Sequence, residues 1–244
     1  MINGREDRVT NSGGPNVEDP FDIELIIHPE DLFAGDVLLY RPRKPNVIQS
    51  LIVQATSSPY THAAIYLGDG QIAESNFPRG ISVNALEPSF DGSEYVAVLR
   101  SQLNFSAERV GRLKVFVQAV MKEGRFYDLI SVSRFSISSQ NYFDHRLDFI
   151  RENYGLSQTT EEFAKTSFIC SAFVVACYTV VGIIDETAQV AYRPEFFAPG
   201  HLPQDPTFGW LLGYLVPTGG SLRRDDPLLQ QTTAWRDCQN VRWW

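Results

Sequence analysis

The stretch Thr61-His-Ala-Ala-Ile-Tyr-Leu-Gly-Asp-Gly-Gln-Ile-Ala-Glu-Ser75 reads as two strands joined by a glycine turn. His62 to Leu67 alternates well enough for a strand, Gly68-Asp69-Gly70 is a strong hairpin signal, and Gln71 to Ser75 returns. His62 and Glu74 both lie on this hairpin, and its register decides whether they meet. A three-residue loop at 68–70 pairs Ala64 with Glu74. Glu74 then shares the face of His62, diagonal to it at roughly 7–8 Å between backbone positions, which a glutamate side chain spans. A two-residue loop pairs Glu74 with Ile65 and turns the carboxylate away, because a one-residue slip reverses every side chain. The three-residue loop is the expectation, with Asn76 opposite His62 as the reserve residue for orienting the ring.

Outward from the hairpin, Asp36-Val-Leu-Leu-Tyr40 follows Gly35 as a first strand, and Tyr95-Val-Ala-Val-Leu-Arg100 completes a small antiparallel set. Residues 46–56 carry Val47, Ile48, Leu51, Ile52 and Ala55 at helical spacing, until Ser57-Ser58-Pro59 breaks the pattern. Over 106–122, Val110, Leu113, Val117, Val120 and Met121 share a helical face, with Ser106 as N-cap and Gly124 as stop. A helix from about 169 to 181 is apolar on nearly every side and must be central. Residues 136–165 are polar and uneven and read as a helical insertion near the surface. Together with 76–94 they are the expected pocket-forming loops.

That central helix begins with Phe168-Ile-Cys170-Ser-Ala-Phe-Val-Val-Ala-Cys177. A thiol attacks carbonyl carbon as thiolate, and its ordinary pKa of about 8.5 leaves little of that form at neutral pH. A helix N-terminus and a neighbouring imidazolium both lower it. Cys170 can use both, with Thr166 and Ser167 as capping-type residues and first-turn N–H groups free to hold an oxyanion. Cys177 lies two turns deeper, without the helix end, and reads as core packing. The two sulfurs are about 10 Å apart along the helix, too far to bridge.

Composition narrows the classes. At 244 residues the chain fits one large domain with appendages. A net charge of −8, with only short basic clusters beside turn formers, excludes the electrostatic footprint of a nucleic-acid binder. Three cysteines without regular spacing make no disulfide framework, and neither a metal nor a cofactor is expected. Residues 1–20 read as a mobile leader, 21–217 as the folded domain, and 218–244 as a tail ending in Trp243-Trp244. No secretory signal follows the charged start and no run of about 18 apolar residues spans a membrane. The chain is therefore expected to be cytoplasmic as synthesised, with any export by a signal-independent route. His28, His145 and His201 read as surface residues.

The motifs Gly35-Asp36-Val-Leu, Pro59-Tyr-Thr-His62-Ala-Ala-Ile-Tyr-Leu-Gly-Asp-Gly70, Gly124-Arg-Phe-Tyr127-Asp128 and Ile169-Cys170-Ser171-Ala-Phe-Val174 resemble the circularly permuted NlpC-type branch of the papain-like cysteine hydrolases. Within that branch the resemblance is particularly to the YiiX-like proteins. The twelve-residue interval from His62 to Glu74 is also similar to that of lecithin retinol acyltransferase relatives. The resemblance implies an α+β fold with a small antiparallel sheet packed against the Cys170 helix. It implies Cys170 as nucleophile, His62 as general base and acid, and Glu74 as the residue that orients and charges His62. Tyr127-Asp128 matches a structural element, and Pro194-Glu-Phe-Phe197 a stretch that closes the fold. The implied activity is cleavage of an amide through a thioester, with peptide stems of cell-wall murein as substrate. Delivery as a secreted effector would bring in secretion machinery or an immunity partner. An acyltransferase or thioesterase on lipid acyl groups, and a binding module without catalysis, are the alternatives.

Overall fold

The computed structural model describes residues 25–76, 78–103, 105–123, 139–166 and 168–229. Six strands are formed: β1 Val37–Pro42, β2 His62–Gly68, β3 Gln71–Asn76, β4 Gly80–Ala85, β5 Ser93–Arg100 and β6 Trp210–Leu215. They make one antiparallel sheet in the order β4-β3-β2-β1-β5-β6. The helices are α1 Val47–Thr56, α2 Ala107–Glu123, α3 Arg146–Asn153, α4 Thr160–Ala164 and α5 Cys170–Val180. The fold is α+β, as expected, but the sheet is larger by two strands. β4 falls in a stretch expected to be pocket loop, and β6 is an apolar run without two-residue alternation, a pattern that does not separate strand from helix.

The hairpin has the expected register by a different route. Asp69 and Gly70, with φ of 53° and 67°, form a two-residue turn, not a three-residue loop. An irregularity between Tyr66 and Gly68 absorbs the extra residue, so Ala64 still faces Glu74. Two positive φ values in succession are what the right-handed strand twist asks of such a turn, and Asp-Gly supplies them at low strain.

α5 supplies the centre of the core. Phe173, Val174, Val175, Ala176 and Cys177 have no exposed surface, and the helix lies across β2 and β3. Each large apolar side chain withdrawn this way contributes roughly 1.5–3 kcal/mol. The carbonyl of Gly35 accepts the Tyr178 hydroxyl at 3.0 Å, and Gly35 has φ of 99° with the Phe105 ring only 2.3 Å from where a Cβ would stand. Next to it, the buried Asp36 receives Arg100 on both carboxylate oxygens, at 2.9 and 2.7 Å, which ties the start of β1 to the end of β5.

Several expectations change in detail. α2 has Ser106 ahead of its first turn, accepting from the Arg109 N–H at 3.3 Å; its buried stripe is Leu113, Phe116, Val117 and Val120, and Met121 is exposed. α1 forms, closed by a capping box between Asn46 and Gln49, yet none of its residues is buried and Val47, Ile48 and Leu51 face outward. The stretch read as a surface insertion contributes Tyr142 and Phe163 to the core. His28 and His145 are exposed. His201 is not a plain surface residue: its Nδ1 accepts the Ala198 N–H at 3.1 Å, and its ring lies 4.5 Å from that of Phe143. The leader at 1–20, Gly124, Tyr127-Asp128, Ser167, Cys238 and Trp243-Trp244 lie outside the described residues.

The start of the stretch read as a tail is part of the fold. Asp226 is fully buried and accepts hydrogen bonds from three tyrosine hydroxyls: Tyr60 at 2.8 Å, Tyr95 at 2.5 Å and Tyr214 at 2.9 Å. The Leu228 N–H donates to it at 2.9 Å, and the Arg41 guanidinium stands 3.7 Å away. Burial and the carboxylate push the hydroxyl pKa values of Tyr60 and Tyr214 up, so both remain donors. Asp226→Ala would take the acceptor from all three buried hydroxyls, and the expected loss is about 3 kcal/mol or more. Its neighbour Asp225 is 61% exposed, and Asp225→Ala should cost less than about 0.5 kcal/mol. Urea unfolding midpoints of the two variants at constant slope provide the measurement.

Candidate functional site

β2 opens with His62 and α5 opens with Cys170. α5 covers the sheet face lined by Ala63, Ile65 and Ala73, whereas His62 pairs with Tyr40 on the other face. The two side chains nonetheless favour each other's charged form, because each stands at the first residue of its element, at one end of the sheet. Two buried bonds hold the helix start there. The Ser75 hydroxyl donates to the Phe168 carbonyl at 2.6 Å, and the Ser171 hydroxyl to the Phe197 carbonyl at 2.6 Å.

The expected capping of α5 by Thr166 does not occur, and Ser167 lies outside the described residues. The N-cap is Ile169, which has no side-chain cap bond, and the Thr166 hydroxyl turns back to the Glu162 carbonyl at 3.0 Å. First-turn N–H groups are therefore not consumed by a capping oxygen. The Ser171 N–H and the Ala63 N–H from β2 instead favour the thiolate form of Cys170.

On the other side of the ring, His62 Nε2 donates to Glu74 Oε2 at 2.6 Å, which leaves Nδ1 for the thiol. The Tyr40 ring lies 5.2 Å from the imidazole, with its hydroxyl held by Ser89 Oγ at 2.9 Å. Asn76, the reserve partner for the ring, favours the ionised form of Glu74 instead. Asn84 was not foreseen. Its Nδ2 donates to Glu74 Oε1 at 2.7 Å and to Ser82 Oγ at 3.0 Å. Only recognition of β4 and its pairing of Ile72 with Asn84 would have placed it diagonal to Glu74.

The electrostatics follow from this packing. Burial by itself raises the Cys170 thiol pKa, but the His62 imidazolium and the Ala63 and Ser171 N–H groups outweigh it and hold the thiol below its ordinary value. Burial likewise disfavours charge on His62, yet Cys170 and Glu74 together raise its pKa. Glu74 opposes its own desolvation with bonds from His62, Asn84 and Asn76 and stays below the usual carboxylate range. Cys177, with burial alone acting on it, is pushed well up. A thiolate, an imidazolium and a carboxylate in series can attack a carbonyl and deliver a proton to its leaving group. Among the described residues no group of three or more His, Cys, Asp and Glu side chains is disposed to hold a metal ion, and no helix is long and apolar enough to cross a membrane.

No protein-family model and no curated protein matches the chain. Among solved structures it is similar to the metalloprotein yiiX from Escherichia coli O157:H7, described as DUF1105. The two are 14% identical, over 75% of this chain and 88% of that one, with a TM-score of 0.38.

The opposite shifts of the two buried thiols give a direct expectation. At pH 6 iodoacetamide should alkylate Cys170 faster than Cys177 in the native protein, because the thiolate is the reactive form. His62→Ala should move the Cys170 profile to higher pH, removing the cation that holds the thiolate. Peptide mass spectrometry of the labelled protein reads both effects. Equal rates at the two cysteines would contradict the assignment.

Proposed function

We propose that this chain is a cysteine hydrolase that cleaves an amide bond through a thioester, built on a permuted NlpC-type papain-like fold. The observation that carries the reading is the placement of His62 between Cys170 and Glu74 at one end of the sheet. In the reaction the Cys170 thiolate adds to the carbonyl carbon, and the oxyanion forms beside the free N–H groups at the start of α5. His62, already protonated, gives its proton to the departing amine as the C–N bond breaks. A water molecule then loses a proton to His62 and attacks the thioester, and the thiolate leaves with the imidazolium restored. Glu74 stabilises the positive ring through both half-reactions.

The motifs around Gly35, His62 and Cys170 favour peptide stems of murein as the amide, which fits a chain delivered as an effector. A second reading is supported by α1. Its exposed Val47, Ile48 and Leu51 favour a thioesterase or acyltransferase that approaches lipid acyl groups.

Incubation with purified murein, and separately with acyl esters, followed by mass spectrometry of the products, distinguishes these readings. New free amines and carboxylates in the murein digest support the amidase. Acyl release or exchange with murein unchanged supports the second reading. Cys170→Ala should lower turnover by a thousandfold or more, on the order of what loss of a nucleophile costs related machinery. Glu74→Gln keeps the shape but not the charge, and its loss should be roughly a hundredfold smaller. Product formation undiminished in Cys170→Ala would overturn the proposal.

A further inference from the structure

Glu74 has to span two strand positions to reach His62, and a glutamate side chain free to choose its rotamer would spend much of its time in water. What restrains it comes from the edge of the sheet. In the β3–β4 ladder Glu74 pairs with Ser82 and Ile72 with Asn84, so Asn84 stands diagonal to Glu74 on the same face. Its amide nitrogen has two protons, one on Glu74 Oε1 at 2.7 Å and one on Ser82 Oγ at 3.0 Å. The opposite amide orientation would set Oδ1 against the carboxylate, two acceptors facing each other. The donor orientation is thus the one that Glu74 and Ser82 jointly select. With Oε1 occupied, Oε2 is the oxygen left for the ring.

We propose that Asn84 is a positioning residue for the Cys170–His62–Glu74 set, clamping Oε1 of Glu74 so that Oε2 is presented to His62. The inference rests on the reading of that set as a thiolate–imidazolium pair supported by a carboxylate. The groups facing Glu74 are His62 from β2, Tyr40 from β1, Asn76 from β3, and Ser82 and Asn84 from β4. His62 alone among them carries charge at neutral pH, so the clamp acts by geometry and hydrogen bonding, not by adding charge. Asn84 is exposed, and its substitution leaves the core untouched.

The test needs no substrate. The pH profile of Cys170 alkylation by iodoacetamide is measured in the full chain for the native protein, Asn84→Ala, Glu74→Gln and the double variant. Asn84→Ala should reduce the rate at pH 6 by about three- to tenfold, the worth of one typical hydrogen bond, since its effect reaches the thiol through Glu74 and His62, and move the inflection to higher pH. In the Glu74→Gln background the same substitution should change the rate by less than about twofold, since its route of action is gone. Asn84→Gln, which keeps the donor, should recover part of the loss. An activated native Cys170 with Asn84→Ala unchanged, or with an equal effect in both backgrounds, overturns the clamp and leaves the hydrolase reading standing. A native Cys170 that titrates as an ordinary thiol overturns that reading and the clamp with it.

Discussion

A slip of one residue between β2 and β3 would carry Glu74 to the face of the sheet away from His62, and Asn76 with it. The arrangement depends on the pairing of Ala64 with Glu74. That pairing is held by a turn and an irregularity acting together. Asp69-Gly70 closes the hairpin in a two-residue turn, which alone would give the wrong parity, and the extra residue between Tyr66 and Gly68 corrects it. Apolar packing on both faces then makes any other register costly, because Ala63 and Ile65 belong beneath α5 while Ala64 and Tyr66 belong to the opposite cluster.

The same sheet explains why two cysteines on one helix differ so much. Both are buried, and burial opposes ionisation in each. Cys170 begins α5 beside the start of β2, where the His62 imidazolium and the Ala63 and Ser171 N–H groups favour its thiolate. Cys177 is two turns on, among side chains with no charge to offer. Position along the helix, not exposure, separates the thiol held below its ordinary pKa from the one pushed above it. Ser75 and Ser171, one from the sheet and one from the helix, hold that position by bonding the backbone before and after α5.

Local chemistry made the His62 hairpin, the α5 helix and the register legible in the sequence, since each rests on a pattern of a few neighbouring residues. Even there the register was reached through a loop length that the structure does not have. What was not legible depends on partners distant in sequence. β4 does carry strand alternation, Ile81, Val83 and Ala85 against Ser82 and Asn84, but the pattern does not name the neighbouring strand, and without the pairing to β3 Asn84 has no reason to be near Glu74. Val47, Ile48 and Leu51 have the spacing of a core stripe, and spacing does not report which side of a helix is covered. Asp226 sits in a run of charges that looks solvated, and only three tyrosines drawn from three parts of the chain make it an interior residue.

That carboxylate also imposes an order of events on assembly. As the chain is made from its N-terminus, the hairpin bearing His62 and Glu74 can close early, since its contacts are short in sequence. Tyr60, two residues before His62, then waits for a partner 166 positions downstream. Until Asp226 arrives, its hydroxyl and those of Tyr95 and Tyr214 remain with water, and the approach to β2 lacks its last tie. Cys170 leaves the ribosome before Asp226 does, so the tie that Asp226 makes to Tyr60, Tyr95 and Tyr214 is a late step in the assembly of each molecule.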